Sequence, residues 1–337
     1  MESDDGMADN EMKAKAHYDV FNGDADGILS LLQLRLAQPK ETQLISGIKR
    51  DIALLQRVPV AEAGSVTVLD ISMDKNQNAL DELLDHDVPI TYIDHHKAST
   101  IPHSDILDAH IDLDANTCTA LIVDKLLQGQ YRTWAIAAAY GDNMLSSAEH
   151  LANELKLTHE QRHFLKQLGT LVNYNGYGES LADLHFDPVI LYQALLAYPD
   201  PFDCQKDASS PYYTLKSAFE SDEIALEATE TVFESDILKV VKLPATPAAR
   251  RMSGTWINRL ANEAPDQAHI SLVPRSGSSK SASYTVSVRA PLNNKQGAAE
   301  ICSQFATGGG REAAGGINEL PEHEVERLIQ VAQECYR

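Results

Sequence analysis

Three short stretches of this 337-residue chain place carboxylates and imidazoles close enough to share an ion: Asp24 with Asp26, Asp70, and Asp94-His95-His96. Carboxylate oxygen combined with imidazole nitrogen suits Mn²⁺ or a similar first-row divalent metal. Each stretch has a plainer explanation when taken singly. Asp-His-His could be a strand end with surface histidines, and Asp26 could merely cap a helix, although capping accounts for one aspartate and not for the pair. Taken together they are harder to dismiss. Four carboxylates converging without a cation would repel one another strongly, so a pair of metal ions is the economical reading.

The elements that must deliver these residues alternate between strand and helix. Tyr18–Phe21 reads as a first strand, and Asn22-Gly23-Asp24-Ala25-Asp26-Gly27 as a sharp turn into an apolar helix from Ile28 to about Leu36. A strand near 42–46 and a helix near 51–57 follow. Val66–Leu69 is a β-branched strand ending in Asp70, 75–85 a helix, and Ile90–Ile93 the strand that ends in Asp94, His95 and His96. This alternation predicts a parallel sheet with right-handed crossovers, and therefore an α/β fold whose acidic residues sit at strand carboxyl ends. Beyond residue 116 the pattern turns helical. Thr117–Leu127 and the alanine-rich 134–140 lead to Asp142, and amphipathic helices continue to a long one at 221–241. Leu243-Pro244-Ala245-Thr246-Pro247 should stop that helix and open a linker at 243–249.

The last part, 250–337, reads as a smaller α/β domain. It has helices at 255–261, 298–305 and 322–334 and strands at 268–273 and 283–289, with a Ser- and Gly-rich hairpin-like connection at 274–281. Gly308, Gly309 and Gly310 form a glycine-rich loop whose backbone N–H groups could approach an anion. Arg289 and Arg311 flank it, each capable of bidentate phosphate contacts. Residues 1–15 are polar and acidic and read as a mobile tail, and 16–242 as the larger domain.

Composition narrows the ligand. With 43% hydrophobic and 23% charged residues the chain is an ordinary globular protein, but its formal net charge is −21. Such a surface repels a long polyphosphate backbone while admitting a short phosphorylated substrate gripped by metals and a few arginines. No apolar run reaches membrane-spanning length, and no basic segment followed by an apolar one opens the chain. The four cysteines, Cys118, Cys204, Cys302 and Cys335, are scattered. The expectation is a reduced, cytoplasmic protein without a membrane partner. A homodimer is compatible with these readings.

Asp24-Ala25-Asp26, Asp70, Asp94-His95-His96 and Asp142 resemble, in order, the four motifs of the DHH phosphoesterases, and 283–316 resembles that family's C-terminal substrate-binding domain. The resemblance implies a parallel-sheet catalytic domain with a helical extension, plus a smaller α/β substrate-binding domain. It further implies two Mn²⁺ ions, with Mg²⁺ or another divalent metal as the substitute. Asp26, Asp70, His95 and Asp142 would hold one ion, and Asp24 and Asp70 the other, with Asp70 bridging. Asp94 and His96 would belong to the catalytic group, His96 behind the ligands or against phosphate. Arg289, Gly308, Gly309, Gly310 and Arg311 would grip substrate.

Family members act on oligonucleotides, 3′-phosphoadenosine 5′-phosphate and dinucleotides. This chain is most similar to the stand-alone hydrolases of linear di-GMP (pGpG). The implied reaction is two-metal hydrolysis of a phosphodiester, with an acidified water attacking phosphorus in line. The weighed alternatives are a broader oligonucleotide or 3′-phosphoadenosine 5′-phosphate hydrolase, an inorganic pyrophosphatase, and a nucleotide sensor with weak catalysis. Two features depart from the family pattern. Val20 and Asn22 stand where the family has a His or an Asp ahead of its first aspartate, and Arg311 stands where the glycine motif usually ends in His. Asn22 could ligate through its carbonyl oxygen but brings no charge.

Overall fold

The computed structural model describes residues 15–225, 229–276 and 282–337, so the expected tail, apart from Lys15, and most of the 274–281 connection lie outside the described residues. Strands β1 (Ala16–Phe21), β2 (Gln43–Ile45), β3 (Ala63–Leu69), β4 (Ile90–Asp94) and β5 (Leu107–Ile111) form an all-parallel sheet ordered β2-β1-β3-β4-β5. Helix α1 (Ala25–Ala37) joins β1 to β2, and α2 (Gln77–Asp85) joins β3 to β4. Both faces are covered, so the strands are apolar on both sides. Phe21, Leu69 and Ile93 enter the core containing α1, whereas Val20, Val68 and Tyr92 enter the opposite one with Leu80 and Leu83 of α2. Strand order reverses between β1 and β3, and the space outside strand carboxyl ends at such a reversal is where open α/β sheets bind ligands.

A helical layer extends the first unit: α3 (Thr119–Leu126), α4 (Arg132–Gly141), α5 (Leu145–Glu154), α6 (His159–Asn175), α7 (Pro188–Leu195), α8 (Pro201–Lys206) and α9 (Pro211–Ala225). Helix α1 is buried on almost every side because α3, α4, α6 and α7 enclose it. The alanines of α4 allow backbone-close packing on α6, where a Cβ on Gly169 would lie 1.8 Å from the Ala137 carbonyl oxygen. That approach fixes the end of α4, and with it Asp142. Among the described residues no helix is long and apolar enough to cross a membrane.

The second unit is a mixed sheet, ordered β10-β11-β9-β8-β7-β6. In chain order its elements are β6 (Glu230–Glu234), β7 (Leu238–Lys242), α10 (Pro247–Glu263), β8 (Ala268–Pro274), β9 (Ser283–Arg289), α11 (Ala298–Ser303), β10 (Gly308–Gly310), β11 (Ala314–Pro321) and α12 (Val325–Cys335). All pairings are antiparallel except β7 with β8, which α10 connects. Helices α11 and α12 cover one face, while α10 on the other meets Tyr174 of α6.

Several sequence expectations are corrected here. Residues 221–241 are not one helix: α9 ends at Ala225, and 230–242 form the β6–β7 pair, because the sheet offers Val240 and Leu238 a buried place that an isolated helix would not. The stretch 243–249 is therefore no linker. It joins β7 to α10 inside the second unit, with Leu243 buried, Thr246 as the helix cap and Pro247 in the first turn. Residues 51–57 hold only a 3₁₀ turn at Leu55–Arg57, and the glycine triplet is an edge strand rather than a loop. Strand β5 has no counterpart in the sequence reading.

Candidate metal centre

The acidic residues at the carboxyl edge of the first sheet are each held by identifiable neighbours. Asp24 caps α1, its Oδ1 accepting from Gly27 N at 3.1 Å. Asp26 lies in the first turn of α1 and accepts from Thr119 N (2.8 Å) and Ala120 N (2.7 Å), N–H groups at the start of α3 that have no partner within that helix. Asp70, just past β3, has φ +57, a left-handed turn that aims its carboxylate back over the strand end. Asp94 ends β4 fully buried, accepting from His96 Nδ1 at 2.7 Å, and its Oδ2 has no partner among the described residues. Asp142 follows α4.

His95 is where these groups meet. Its Nδ1 donates to the Thr117 carbonyl at 2.9 Å, so in the neutral ring Nε2 carries the lone pair. That Nε2 lies 3.3 Å from Asp70 Oδ1 and 3.5 Å from Asp26 Oδ2. Burial, then the charge of Arg311, holds the imidazole below its usual pKa and so favours the neutral ring. Lone pairs facing one another at such distances need a cation, or a proton on the carboxyl, between them. Two adjacent ligands on an octahedral ion, each bonded at about 2.1 Å, lie about 3 Å apart.

The donor set fits a divalent ion. Ligand atoms of Asp26, His95 and Asp142 fall within 4.8 Å of one another, as do those of Asp70, His95 and His96. Asp70 is the most frustrated of these carboxyls: burial, then the charges of Asp24, Asp26 and Asp94, push it well above the ordinary range. Burial, reinforced by Asp142 and Asp24, likewise raises Asp26. His96, unlike His95, is also raised, since Asp94 outweighs burial.

The second sheet closes the same cleft with cations. Arg311 Nη2 donates to Asp142 Oδ2 at 2.6 Å, and the guanidinium outweighs burial to hold that carboxyl below its usual range. Arg289 donates to Asn258 Oδ1 at 2.7 Å and to the Val288 carbonyl at 3.1 Å. Gly308, Gly309 and Gly310 line the wall beside them. A Cβ on Gly308 would lie 1.7 Å from the Cys302 carbonyl oxygen, whereas one on Gly309 would point into the cleft, with Lys75 Cε as its nearest neighbour at 3.6 Å.

Asn22 reaches backbone at both ends, its Oδ1 accepting from Asp24 N (3.2 Å) and its Nδ2 donating to the Lys49 carbonyl (3.1 Å). Lys49, absent from the sequence reading, ion-pairs with Asp24, and its charge outweighs burial to bring that carboxyl down to about 2. Arg50 was also missed; it donates to Ser287 Oγ at 2.7 Å and so ties the two sheets together. Both follow β2, at a strand carboxyl end like the aspartates.

No protein-family model matches the chain, and no curated protein sequence matches it. Solved structures do. A DHH-domain protein described as a member of a family of ribosomal proteins aligns over 95% of this chain and 86% of its own, with a TM-score of 0.59 and 14% identity. The exonuclease RecJ bound to manganese aligns over 95% of this chain and 89% of its own, with a TM-score of 0.52 and 16% identity. RecJ from Thermus thermophilus in complex with Mn²⁺ aligns over 95% of this chain and 52% of its own, with a TM-score of 0.53 and 14% identity. Likeness at this level of identity is a likeness of fold, and the fold of this chain is that of the DHH-domain proteins.

Proposed function

We propose that this chain is a cytoplasmic, metal-dependent phosphodiesterase that cleaves short linear dinucleotides, with pGpG to GMP the favoured reaction and hence a role in ending cyclic-dinucleotide signalling. One observation carries the reading: carboxylates from the first turn of α1, the end of β3 and the end of α4 gather around His95, in a cleft whose other wall carries Arg289, Arg311 and the β10 edge. Asp26, Asp70, His95 and Asp142 would hold a divalent ion, with Mn²⁺ preferred on the mixed oxygen and nitrogen donors. When bound, such an ion supplies a Lewis acid that polarises the phosphoryl oxygen and acidifies water.

The chain's own residues do the rest. His95 is oriented by Thr117, and Asp94 accepts from His96 Nδ1 and favours its charged form, so that His96 in the cleft can donate through its other ring nitrogen to a phosphate oxygen. Arg289 and Arg311 offer charge to substrate phosphate, Arg311 by leaving Asp142. With the chain at −21 overall, each further phosphate projecting outside the cleft is disfavoured.

Initial rates with Mn²⁺ on pGpG, pApA, cyclic dinucleotides, longer oligonucleotides and pyrophosphate test this directly. Fastest turnover of pGpG, abolished by a chelator, is expected. Equal cleavage of pGpG and oligonucleotides would remove the length claim, and pyrophosphate as the best substrate would replace the reading altogether.

A further inference from the structure

We propose that Lys49 supplies, at Asp24, the positive charge that the family resemblance assigns to a second metal ion, so that the centre works with one divalent ion and one ammonium. This rests on the phosphodiesterase reading and deepens it.

The position of Lys49 is built from several sides. Its backbone N–H donates to the Gly176 carbonyl at 2.8 Å, and its own carbonyl accepts from Asn22 Nδ2 at 3.1 Å. Its Nζ ion-pairs with Asp24 Oδ2, lies 3.5 Å from Asn173 Oδ1 and sits 5.5 Å from the centre of the Tyr177 ring. Because Asp24 Oδ1 already accepts from Gly27 N, both oxygens of Asp24 are engaged. Neither set of three clustered ligand side chains found among the described residues includes Asp24.

Asn22 and Lys49 are complementary. An aspartate at 22 would add the negative charge a second dication needs, but it would face the Lys49 carbonyl that the Asn22 amide now satisfies. Replacing Asp by Asn removes one negative charge, and bringing in Lys adds one positive charge. Asp24 is then neutralised without a metal, and a dication beside the ammonium would be repelled.

The chemistry divides accordingly. An ammonium has three donors, and two directions are taken by Asp24 and Asn173. The third is available to a non-bridging phosphate oxygen in the cleft that Lys49 lines. Lys49 can thus stabilise charge on phosphate, but it cannot acidify water as a metal does. That task falls to the ion at Asp26, Asp70, His95 and Asp142.

Counting ions tests the inference without using turnover. Titration calorimetry of the full chain with Mn²⁺ should give one tight ion per chain, and electron paramagnetic resonance should show no exchange-coupled manganese pair. The double variant Asn22→Asp/Lys49→Met should bind two ions and show the coupled signal. Two ions with coupling in the wild type would overturn the proposal while leaving the phosphodiesterase reading intact. A single ion in a folded double variant would overturn the assignment to Lys49. Should that variant fail to fold by circular dichroism, the wild-type count decides alone. A wild type that binds no Mn²⁺ would remove this proposal and the metal-dependent reading together, whereas one bound ion with no hydrolysis of any substrate would remove only the latter.

Discussion

The two sheets put opposite charge into one cleft by different structural means. In the parallel sheet and its helices the carboxylates are short side chains at element ends. Asp24 and Asp26 are each held by backbone N–H donors, and Asp70 by a left-handed turn. In the mixed sheet the cations ride on long side chains, Arg289 at the end of β9 and Arg311 after β10, with Arg311 resting on Asp142 from the other unit. Rigid placement suits groups that must hold an ion in fixed geometry, and reach suits groups that must find a substrate. Losses in the first region should therefore fall on all substrates alike, and losses in the second should depend on the substrate.

The largest effect is expected at Asp70. Asp70→Ala removes the carboxylate 3.3 Å from His95 Nε2 and should lower turnover by more than about 100-fold, since even outer-shell losses around a metal typically cost roughly 10–100-fold. Rates on pGpG and on a bis-aryl phosphodiester should fall together. Retention of more than about a tenth of the rate would deny Asp70 a ligand role.

Arg311 is the sharpest test of the contrast. Removing one charged hydrogen-bonding partner typically costs about 1.5–3 kcal/mol, or roughly one to two orders of magnitude. Arg311→Ala should impose that loss on pGpG but much less on the aryl diester, which needs only the metal centre. Equal losses on both would place Arg311 in the ion's surroundings rather than on substrate, as its contact with Asp142 also permits.

How far sequence could anticipate this contrast follows from the same distinction. The places of Asp24, Asp26, Asp70, Asp94 and His95 were legible because each falls at or just past the end of a recognisable strand. Lys49 and Arg50 follow the three-residue β2, Gln43–Ile45, and their partners Asp24 and Ser287 lie 25 and 237 residues away. Nothing local marks them. The stretch 221–241 misled because its Glu, Ala and Leu content favours helix, while Val240 and Val241 of β7 pair with Ile270 and Ser271 only once the distant β8 is in place. The glycine triplet misled for a related reason. Gly308 and Gly310 meet a need for close packing against α11 and β11, which is a tertiary fact.

That packing separates two neighbouring glycines. Gly308→Ala drives a methyl into the Cys302 carbonyl and should destabilise the protein by about 1–3 kcal/mol, as over-packing typically does. Gly309→Ala meets only the far end of Lys75 and should leave the melting temperature nearly unchanged. Its effect, if the cleft is the substrate site, should fall on KM for pGpG and not on stability. Thermal melts of the two variants check the first claim, and the reverse ranking would mean that β10 is not held by this contact.

The smallest effect lies where the two regions join. Arg251 of α10 forks onto Asp222 of α9, with Nε to Oδ2 at 2.6 Å and Nη2 to Oδ1 at 2.8 Å, and the Tyr174 hydroxyl donates to the same carboxylate. His185 is the other titratable neighbour, 3.7 Å from Asp222 Oδ2. Burial raises the Asp222 carboxyl, but Arg251 and Tyr174 outweigh it and hold the pKa below the ordinary value. A carboxyl lowered on folding contributes stability above the unfolded pKa, near 4, and loses it as the pH falls through the folded one. Asp222→Asn should therefore be less stable than wild type at neutral pH, by about 1 kcal/mol or roughly 2 °C in melting temperature. The gap should stay constant from pH 8 to about 5 and close below about pH 4, where the wild-type carboxyl also becomes neutral. Melting curves across that range decide it. A gap that persists undiminished at pH 3 would show that the asparagine acts by disturbed packing, and that charge does not fasten the two sheets together at this junction.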